Sequence, residues 1–271
     1  MHFNTMVSNS NNSTNNNHFG STSVYKMEDN LSEIQMAKKV AAYACAQDHI
    51  RSGMAIGVGS GSTIKFLIDW LHEKYSSGQL TNISCVPTSY TTRQWLQHSN
   101  LPVQSLENLN SLDITIDGAD EVDSNLTCIK GGGGCMLQEK VVQSCAKRFI
   151  LIGDSEKFSD VLGKCQKTIP VEVVPYASAP VKRWITERLG GQCHLRMDQR
   201  KCFPVITENS NYIFDWEFPQ PVDQDKDWQK VHQNLISLPG VVETGLFINV
   251  AQQAYSGMAN GTVKVMSSSQ S

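Results

Sequence analysis

Met54-Ala55-Ile56-Gly57-Val58-Gly59-Ser60-Gly61-Ser62-Thr63 decides the fold class. Its first half is short and apolar, as in a buried strand. Its second half is three spaced glycines followed by hydroxyl residues. From Ser62 to Tyr75 the apolar positions Ile64, Phe66, Leu67, Ile68 and Leu71 fall at helical spacing. A strand that feeds a helix through a glycine turn is the opening of an α/β unit. The same alternation continues on both sides. Ser32-Glu33-Ile34-Gln35 reads as a capping box ahead of a helix that carries Ala37, Val40, Ala41 and Ala44. Downstream the pattern predicts strands at 83–86, 103–106, 112–116 and 149–152, with helices near 91–97 and 136–146. These features predict a mostly parallel sheet with helices on both faces.

The character changes after Cys165. Strands at 171–174, 193–197, 205–207, 212–217 and 241–249 surround helices at 180–189 and 227–236, with Glu208-Asn209-Ser210-Asn211 as a hairpin turn. That order predicts a smaller inserted α+β domain of ferredoxin-like type. The expected division is a catalytic α/β domain over 31–165 and 244–265, with the small domain over 166–243. Residues 1–30 are rich in Asn, Ser and Thr and bury too little apolar surface to offset ordering, so a disordered tail is expected there. A second polar tail is expected over 266–271.

The 271 residues carry a net charge of −3, with 18% charged and 40% hydrophobic side chains. That balance suits a packed core and argues against a general nucleic-acid or anionic-membrane binder. A run of about 18 apolar residues, as a membrane-spanning helix needs, is absent from the sequence. The eight cysteines include no C-x-x-C pair and no zinc-finger spacing, so they read as reduced thiols of a cytoplasmic protein. The N-terminus lacks the basic-then-apolar pattern of a signal peptide, and the first arginine is Arg51.

Four motifs carry chemistry. The turn at Ser60, Gly61, Ser62 and Thr63 combines free helix N–H groups with hydroxyl donors, a cradle for a phosphate. It fits neither G-x-G-x-x-G nor the Gly-Lys-Ser/Thr P-loop, which leaves a monophosphate site or a turn that binds nothing. Asp117-Gly118-Ala119-Asp120-Glu121-Val122-Asp123 ends an apolar strand, where open α/β sheets bind ligands. Its carboxylates suit a metal, hydroxyl groups or proton transfer, or form a solvated acidic turn. Lys130-Gly131-Gly132-Gly133-Gly134 offers close backbone approach and a cation for an oxyanion. Glu139, about one turn into the next helix among apolar neighbours, suits a base of raised pKa or is an ordinary surface glutamate. Lys157, in Gly153-Asp154-Ser155-Glu156-Lys157, reaches an anion or starts a helix in solvent. The seven histidines form no metal-binding pattern.

Taken together and in this order, these motifs resemble the type A ribose-5-phosphate isomerase family. The resemblance runs from about Leu31 to Val265 and includes Pro170-Val171-Glu172-Val173-Val174-Pro175 and Pro239-Gly240-Val241-Val242. Cys85-Val86-Pro87-Thr88-Ser89 and Gly245-Leu246-Phe247-Ile248-Asn249 resemble the eukaryotic branch. The family hairpin often reads Thr-Asp-Asn-Gly-Asn, where this chain has Thr207-Glu208-Asn209-Ser210-Asn211. The resemblance implies Glu139 as catalytic base, with Asp117, Asp120 and Lys130 acting in ring opening and in polarising substrate oxygens. It implies a substrate-binding set of Ser60, Gly61, Ser62, Thr63, Gly118, Ala119, Gly131, Gly132, Gly133 and Lys157. It further implies no metal or organic cofactor and a cytoplasmic homodimer or homotetramer. The expected reaction interconverts ribose 5-phosphate and ribulose 5-phosphate. A sugar-phosphate sensor on the same fold, and an enzyme acting on an acyl or amino-sugar substrate, are the competing readings.

Overall fold

The computed structural model describes residues 31–200, 202–222 and 226–268. The Asn-rich segment 1–30 and residues 269–271 lie outside the described residues. In chain order the main elements begin α1 (Glu33–His49), β1 (Ala55–Val58), α2 (Ser62–Ser76), β2 (Ser84–Pro87), α3 (Tyr90–His98) and β3 (Ile114–Asp117). They continue with β4 (Glu121–Val122), β5 (Cys128–Ile129), α4 (Met136–Ser144), β6 (Phe149–Asp154) and β7 (Thr168–Val173). Then follow α5 (Ser178–Leu189), β8 (Gln192–Leu195), β9 (Met197–Asp198), β10 (Phe203–Pro204) and β11 (Tyr212–Glu217). The chain closes with α6 (Trp228–Ile236), β12 (Val241–Thr244), β13 (Leu246–Phe247), β14 (Gln253–Gly257) and β15 (Val263–Ser267).

The large sheet has the order β15-β14-β6-β3-β1-β2, and every pairing but β14–β15 is parallel. Its strands alternate between two buried faces. Ile56, Val58, Ile114 and Ile116 share one core with Ala41 and Cys45 of α1 and Leu67 and Leu71 of α2. On the other face the Thr115 hydroxyl donates to the Val142 carbonyl of α4 at 3.4 Å. Asp117 lies two residues on, so it shares that face with Thr115. The side-chain period of β3 thus aims a carboxylate at the helix that carries Glu139.

The second sheet is antiparallel, of order β12-β7-β11-β8, with α5 and α6 packed on it through Val181, Ile185, Val231 and Leu235. Its chain order, β7-α5-β8-β11-α6-β12, is the ferredoxin-like pattern. A three-stranded sheet, β13-β5-β4, sits beside it.

Four local expectations need correction. Residues 103–106 form no strand ladder: Val103 makes one bridge to Cys85, and Leu106–Asn108 is a 3-10 turn. Residues 205–207 also form only a bridge, Ile206 to Tyr212, because the Thr207 hydroxyl turns inward to Glu172 at 2.8 Å. The single strand expected over 241–249 is broken at Gly245. A Cβ there would lie 2.2 Å from the Lys130 carbonyl, and the two halves pair with different sheets. Finally, Met266 and Ser267, expected in a polar tail, pair with Ala254 and Gln253 at the sheet edge.

Candidate active site

Three neighbouring strands, β1, β3 and β6, end at the mouth of one cleft of about 190 Å³. This is where ligands bind in open parallel sheets. The turn after β1 brings Ser60, Gly61, Ser62 and Thr63 to one wall. Gly61 caps α2 with φ of 98° and offers no side-chain cap, so the first N–H groups of the helix are left for a ligand. The Ser60 hydroxyl is paired with Thr88 Oγ1 at 2.8 Å.

Two lysines flank this wall. Lys157 follows β6 and lines the cleft, as the sequence suggested. Lys38, from α1, was not foreseen. Its Nζ lies 3.1 Å from Ser62 Oγ and 3.8 Å from Asp154 Oδ2. Lys38 is one of two adjacent lysines in an alanine-rich helix, apart in sequence from the glycine motifs. Only the packing of α1 across β6 and β14 reveals it.

The opposite wall holds Gly118, Ala119, Asp120 and Gly131 to Gly133. At its base Lys130 is the hub of a buried triad. Its Nζ lies 3.1 Å from Asp117 Oδ2 and 3.4 Å from Glu139 Oε2. It also donates to the Gly118 carbonyl. Asp117 is fully buried beneath the cleft and does not line it. Its Oδ1 accepts N–H bonds from Ser60 at 2.9 Å and Gly118 at 2.7 Å. Gly59 makes this possible, because a Cβ there would sit 2.0 Å from Asp117 Oδ1. Asp117 therefore fixes both the glycine turn and the lysine.

Two carboxylates share one buried cation, and their proton affinities respond. Burial lifts the Glu139 carboxyl from 4.5 to about 8. Lys130 opposes that shift and the Asp117 charge adds to it. Burial also raises Asp117, against the pull of Lys130 and the Ser60 and Gly118 N–H groups. Burial alone would lower Lys130, but the two carboxylates outweigh it and hold the ammonium above its ordinary value. The result is a permanent cation beside a carboxylate able to gain and lose a proton near neutrality. The thiol of Cys135, at the start of α4, is pushed up to about 12 by burial and nearby carboxylates and is no nucleophile.

The other acidic residues of the second motif have separate duties. Asp120 lines the cleft and accepts the Gly132 N–H at 2.8 Å. Glu121 is spent on structure: Ser159 Oγ and the N–H groups of Gly163, Lys164, Cys165 and Gln166 all donate to it. Asp123 accepts N–H bonds from Asn125 and Thr127 in its own turn. Among the described residues no group of three or more His, Cys, Asp or Glu is arranged to hold a metal ion. Lys140, next to Glu139, anchors α4 by donating to Glu243 at 2.7 Å and to the Thr244 and Leu246 carbonyls.

Arg196, from the small sheet, is a second residue that sequence reasoning passed over. It reaches the glycine loop, donating to the carbonyls of Gly131 at 2.8 Å and Gly132 at 3.1 Å. Nothing at position 196 marks it in the sequence. It lies directly after β8, where its backbone N–H meets the Ile213 carbonyl of β11 and its side chain turns back to Asp215.

Comparison with known proteins agrees with this geometry. The family model for ribose 5-phosphate isomerase A (phosphoriboisomerase A) matches residues 84–261. The chain is 47% identical over 237 residues to a probable ribose 5-phosphate isomerase of Caenorhabditis elegans, covering 88% of this chain and 94% of that one. It is 42% identical over 246 residues to the ribose-5-phosphate isomerase of Homo sapiens, covering 90% and 78% respectively. Among solved structures it is similar to a D-ribose-5-phosphate isomerase in complex with phospho-erythronic acid, with a TM-score of 0.81 and 35% identity over 86% of this chain and 99% of that one. The ribose 5-phosphate isomerase of Plasmodium falciparum superposes with a TM-score of 0.80 at 32% identity, over 87% of this chain and 99% of the other. A glycine turn at a helix N-terminus, a buried Lys–Asp–Glu triad and relatives of this closeness over most of the chain lead to one conclusion: this protein belongs to the ribose 5-phosphate isomerase A family.

Proposed function

We propose that the chain interconverts D-ribose 5-phosphate and D-ribulose 5-phosphate, in the following way. The phosphate docks on the N-terminus of α2, against Ser60, Ser62 and Thr63 and between Lys38 and Lys157. The sugar then extends toward Glu139 and Lys130. Opening the furanose needs a proton moved from the anomeric hydroxyl to the ring oxygen. Asp120, Lys130 and Glu139 line the cleft and are placed for that exchange, while Asp117 acts from beneath by holding Lys130.

Glu139 takes the proton from C2 of the open aldehyde. The electron pair of that bond forms the C1–C2 double bond, and the carbonyl π pair moves to O1, giving an enediolate. Protonation at C1 by the same carboxyl, with the O2 proton passing to O1, completes the ketose. Charge develops on O1 and O2 in this sequence. The Lys130 ammonium and the N–H groups of the glycine loop stabilise it without reorganising. Gly118, Ala119 and Gly131 to Gly133 shape the wall against which the chain of the sugar lies.

The observation that carries this reading is the Glu139–Lys130 contact of 3.4 Å at the base of a cleft whose other end is a phosphate cradle. Membership of a family whose curated relatives are isomerases does not favour a sensor that binds without turnover. The chain also fits a reducing, cytoplasmic setting, with all eight cysteines as free thiols. Exposed Met197, Phe203 and Ile206, around the β9–β10 ribbon, support assembly as a homodimer or homotetramer. Ketopentose formation from ribose 5-phosphate, in competition with acyl or amino-sugar phosphates, tests the substrate. Preference for one of the competitors would overturn the assignment.

A further inference from the structure

The glycine loop is held from two sides, and one side belongs to the small sheet. In a trans peptide the C=O and the following N–H point in opposite directions from one rigid plane. For the Gly131–Gly132 plane, the C=O accepts from Arg196 Nη1 and the N–H donates to Asp120 Oδ2. That plane is clamped at both ends. For the next plane, the Gly132 C=O also accepts from Arg196 Nη1, which directs the Gly133 N–H away from the small sheet. Four glycines in succession have no side chains to fix these orientations themselves.

Arg196 is well built for the task. Its Nε and Nη2 form a fork on the two oxygens of Asp215, across the β8–β11 pairing. Its backbone is tied as well: its N–H donates to the Ile213 carbonyl, and its carbonyl accepts from Val205 N–H, both at 2.8 Å. Its charge is matched by Asp215, and it does not line the cleft. It therefore has no direct route to the substrate phosphate. What it can control is the aim of the loop.

We propose that Arg196 is a positioning residue for the isomerisation: anchored by Asp215, it fixes two successive peptide planes of the glycine loop, the first with its N–H held on Asp120, so that the Gly133 N–H of the second is preorganised for the enediolate. The inference rests on the ribose 5-phosphate reading above. The small sheet is then a working part of the catalytic apparatus, reaching into a site built otherwise from the large sheet.

The test uses Arg196→Met, Arg196→Lys and Asp215→Asn in the full chain. The readouts are kcat and KM for ribose 5-phosphate, inhibition by inorganic phosphate, and the pH profile of kcat/KM. A misaligned loop is expected to lower kcat by about 10²-fold in Arg196→Met. KM and phosphate inhibition should stay near wild type, because the phosphate cradle is untouched. Arg196→Lys keeps a donor but loses the fork, so it should recover part of the rate. Asp215→Asn should fall between, and it stands in if Arg196→Met does not fold. The pH midpoint should not move, since Arg196 does not touch Glu139. Unchanged kcat in Arg196→Met, or a loss confined to KM, would overturn the proposal. So would a loss that tracks a lowered Tm and that lysine does not relieve. Amide hydrogen exchange at Gly132 and Gly133 separates the two levels of the argument. Absent wild-type turnover would defeat the substrate assignment. Faster exchange in Arg196→Met supports the clamp, and unaltered exchange contradicts it.

Discussion

Lys130 Nζ and Glu139 Oε2 lie 3.4 Å apart in a site where both side chains are almost wholly buried, and Asp117 holds the same ammonium from below at 3.1 Å. One cation thus serves two carboxylates. Glu139, the member that lines the cleft, is the carboxyl whose proton affinity is raised to about 8. An ordinary glutamate is too weak a base for a carbon acid. Burial beside an oriented cation raises its proton affinity while supplying the charge that the enediolate needs.

The first consequence concerns pH. As the proposed base, Glu139 has to be ionised to take the C2 proton, and its carboxyl is raised from 4.5 to about 8. Below that value, log kcat/KM should climb with unit slope, levelling above about pH 8.5. A rate profile measured at saturating and limiting substrate checks this. A profile flat from pH 5.5 upward would show that Glu139 is not the titrating base.

Stability should move the other way. A group whose folded pKa lies above its unfolded value holds a proton in the native state that the unfolded chain releases. Its stabilising contribution is intact below 4.5 and is lost as pH rises toward about 8. Glu139→Gln removes that titration and leaves Lys130 and Asp117 as a matched pair. Its Tm relative to wild type should therefore increase between pH 5 and 8 and then level off. A variant that loses Tm at every pH would argue that Glu139 is ionised and stabilising.

Removing the cation should be costly. Lys130→Met leaves Asp117 and Glu139 facing each other without compensation, a loss of about 3–5 kcal/mol for a broken buried pair. Urea unfolding measures it. Adding Glu139→Gln to that variant should return part of the loss, because the two sites are in contact and do not act additively. Additive losses would mean that the triad is not an electrostatic unit.

Phosphate binding and chemistry should separate cleanly. Lys38 contacts Ser62 on the phosphate side and is not in the buried triad. Deleting a hydrogen bond to a charged group costs about 1.5–3 kcal/mol, so Lys38→Ala should raise KM roughly tenfold to a hundredfold. Inhibition by inorganic phosphate should weaken by a similar factor, with kcat little changed. A fall in kcat at unchanged KM would place Lys38 in the chemistry instead.

Much of this was legible in the sequence because it is local. Glycines after an apolar run, acidic residues at a strand end and a glutamate one turn into a helix are short-range patterns with direct physical meaning. They brought Ser60 to Thr63, Asp120, Lys130 and Glu139 to one cleft. What the sequence hid depends on long-range register. Lys38 enters through the packing of α1 across the sheet, and Arg196 through a side-chain fork on Asp215 from just past the end of β8. The break at Gly245 follows from backbone contact with Lys130, more than a hundred residues earlier. Within the acidic motif the sequence singles out Asp117 and Asp120 as nearest the strand end; Glu121, two residues before Asp123, closes a loop, while Asp117 braces a lysine. Asp117 was expected to act in ring opening; it is fully buried and does not line the cleft.

The most direct measurement is ketopentose formation from ribose 5-phosphate by the purified chain in excess EDTA, with Glu139→Gln beside it. The account predicts chelator-resistant turnover by the wild type. It predicts that Glu139→Gln loses about 10²–10⁴-fold in kcat, the usual worth of a positioned acid–base group, with little change in KM. Near-normal turnover by Glu139→Gln, or none by the wild type, would contradict it.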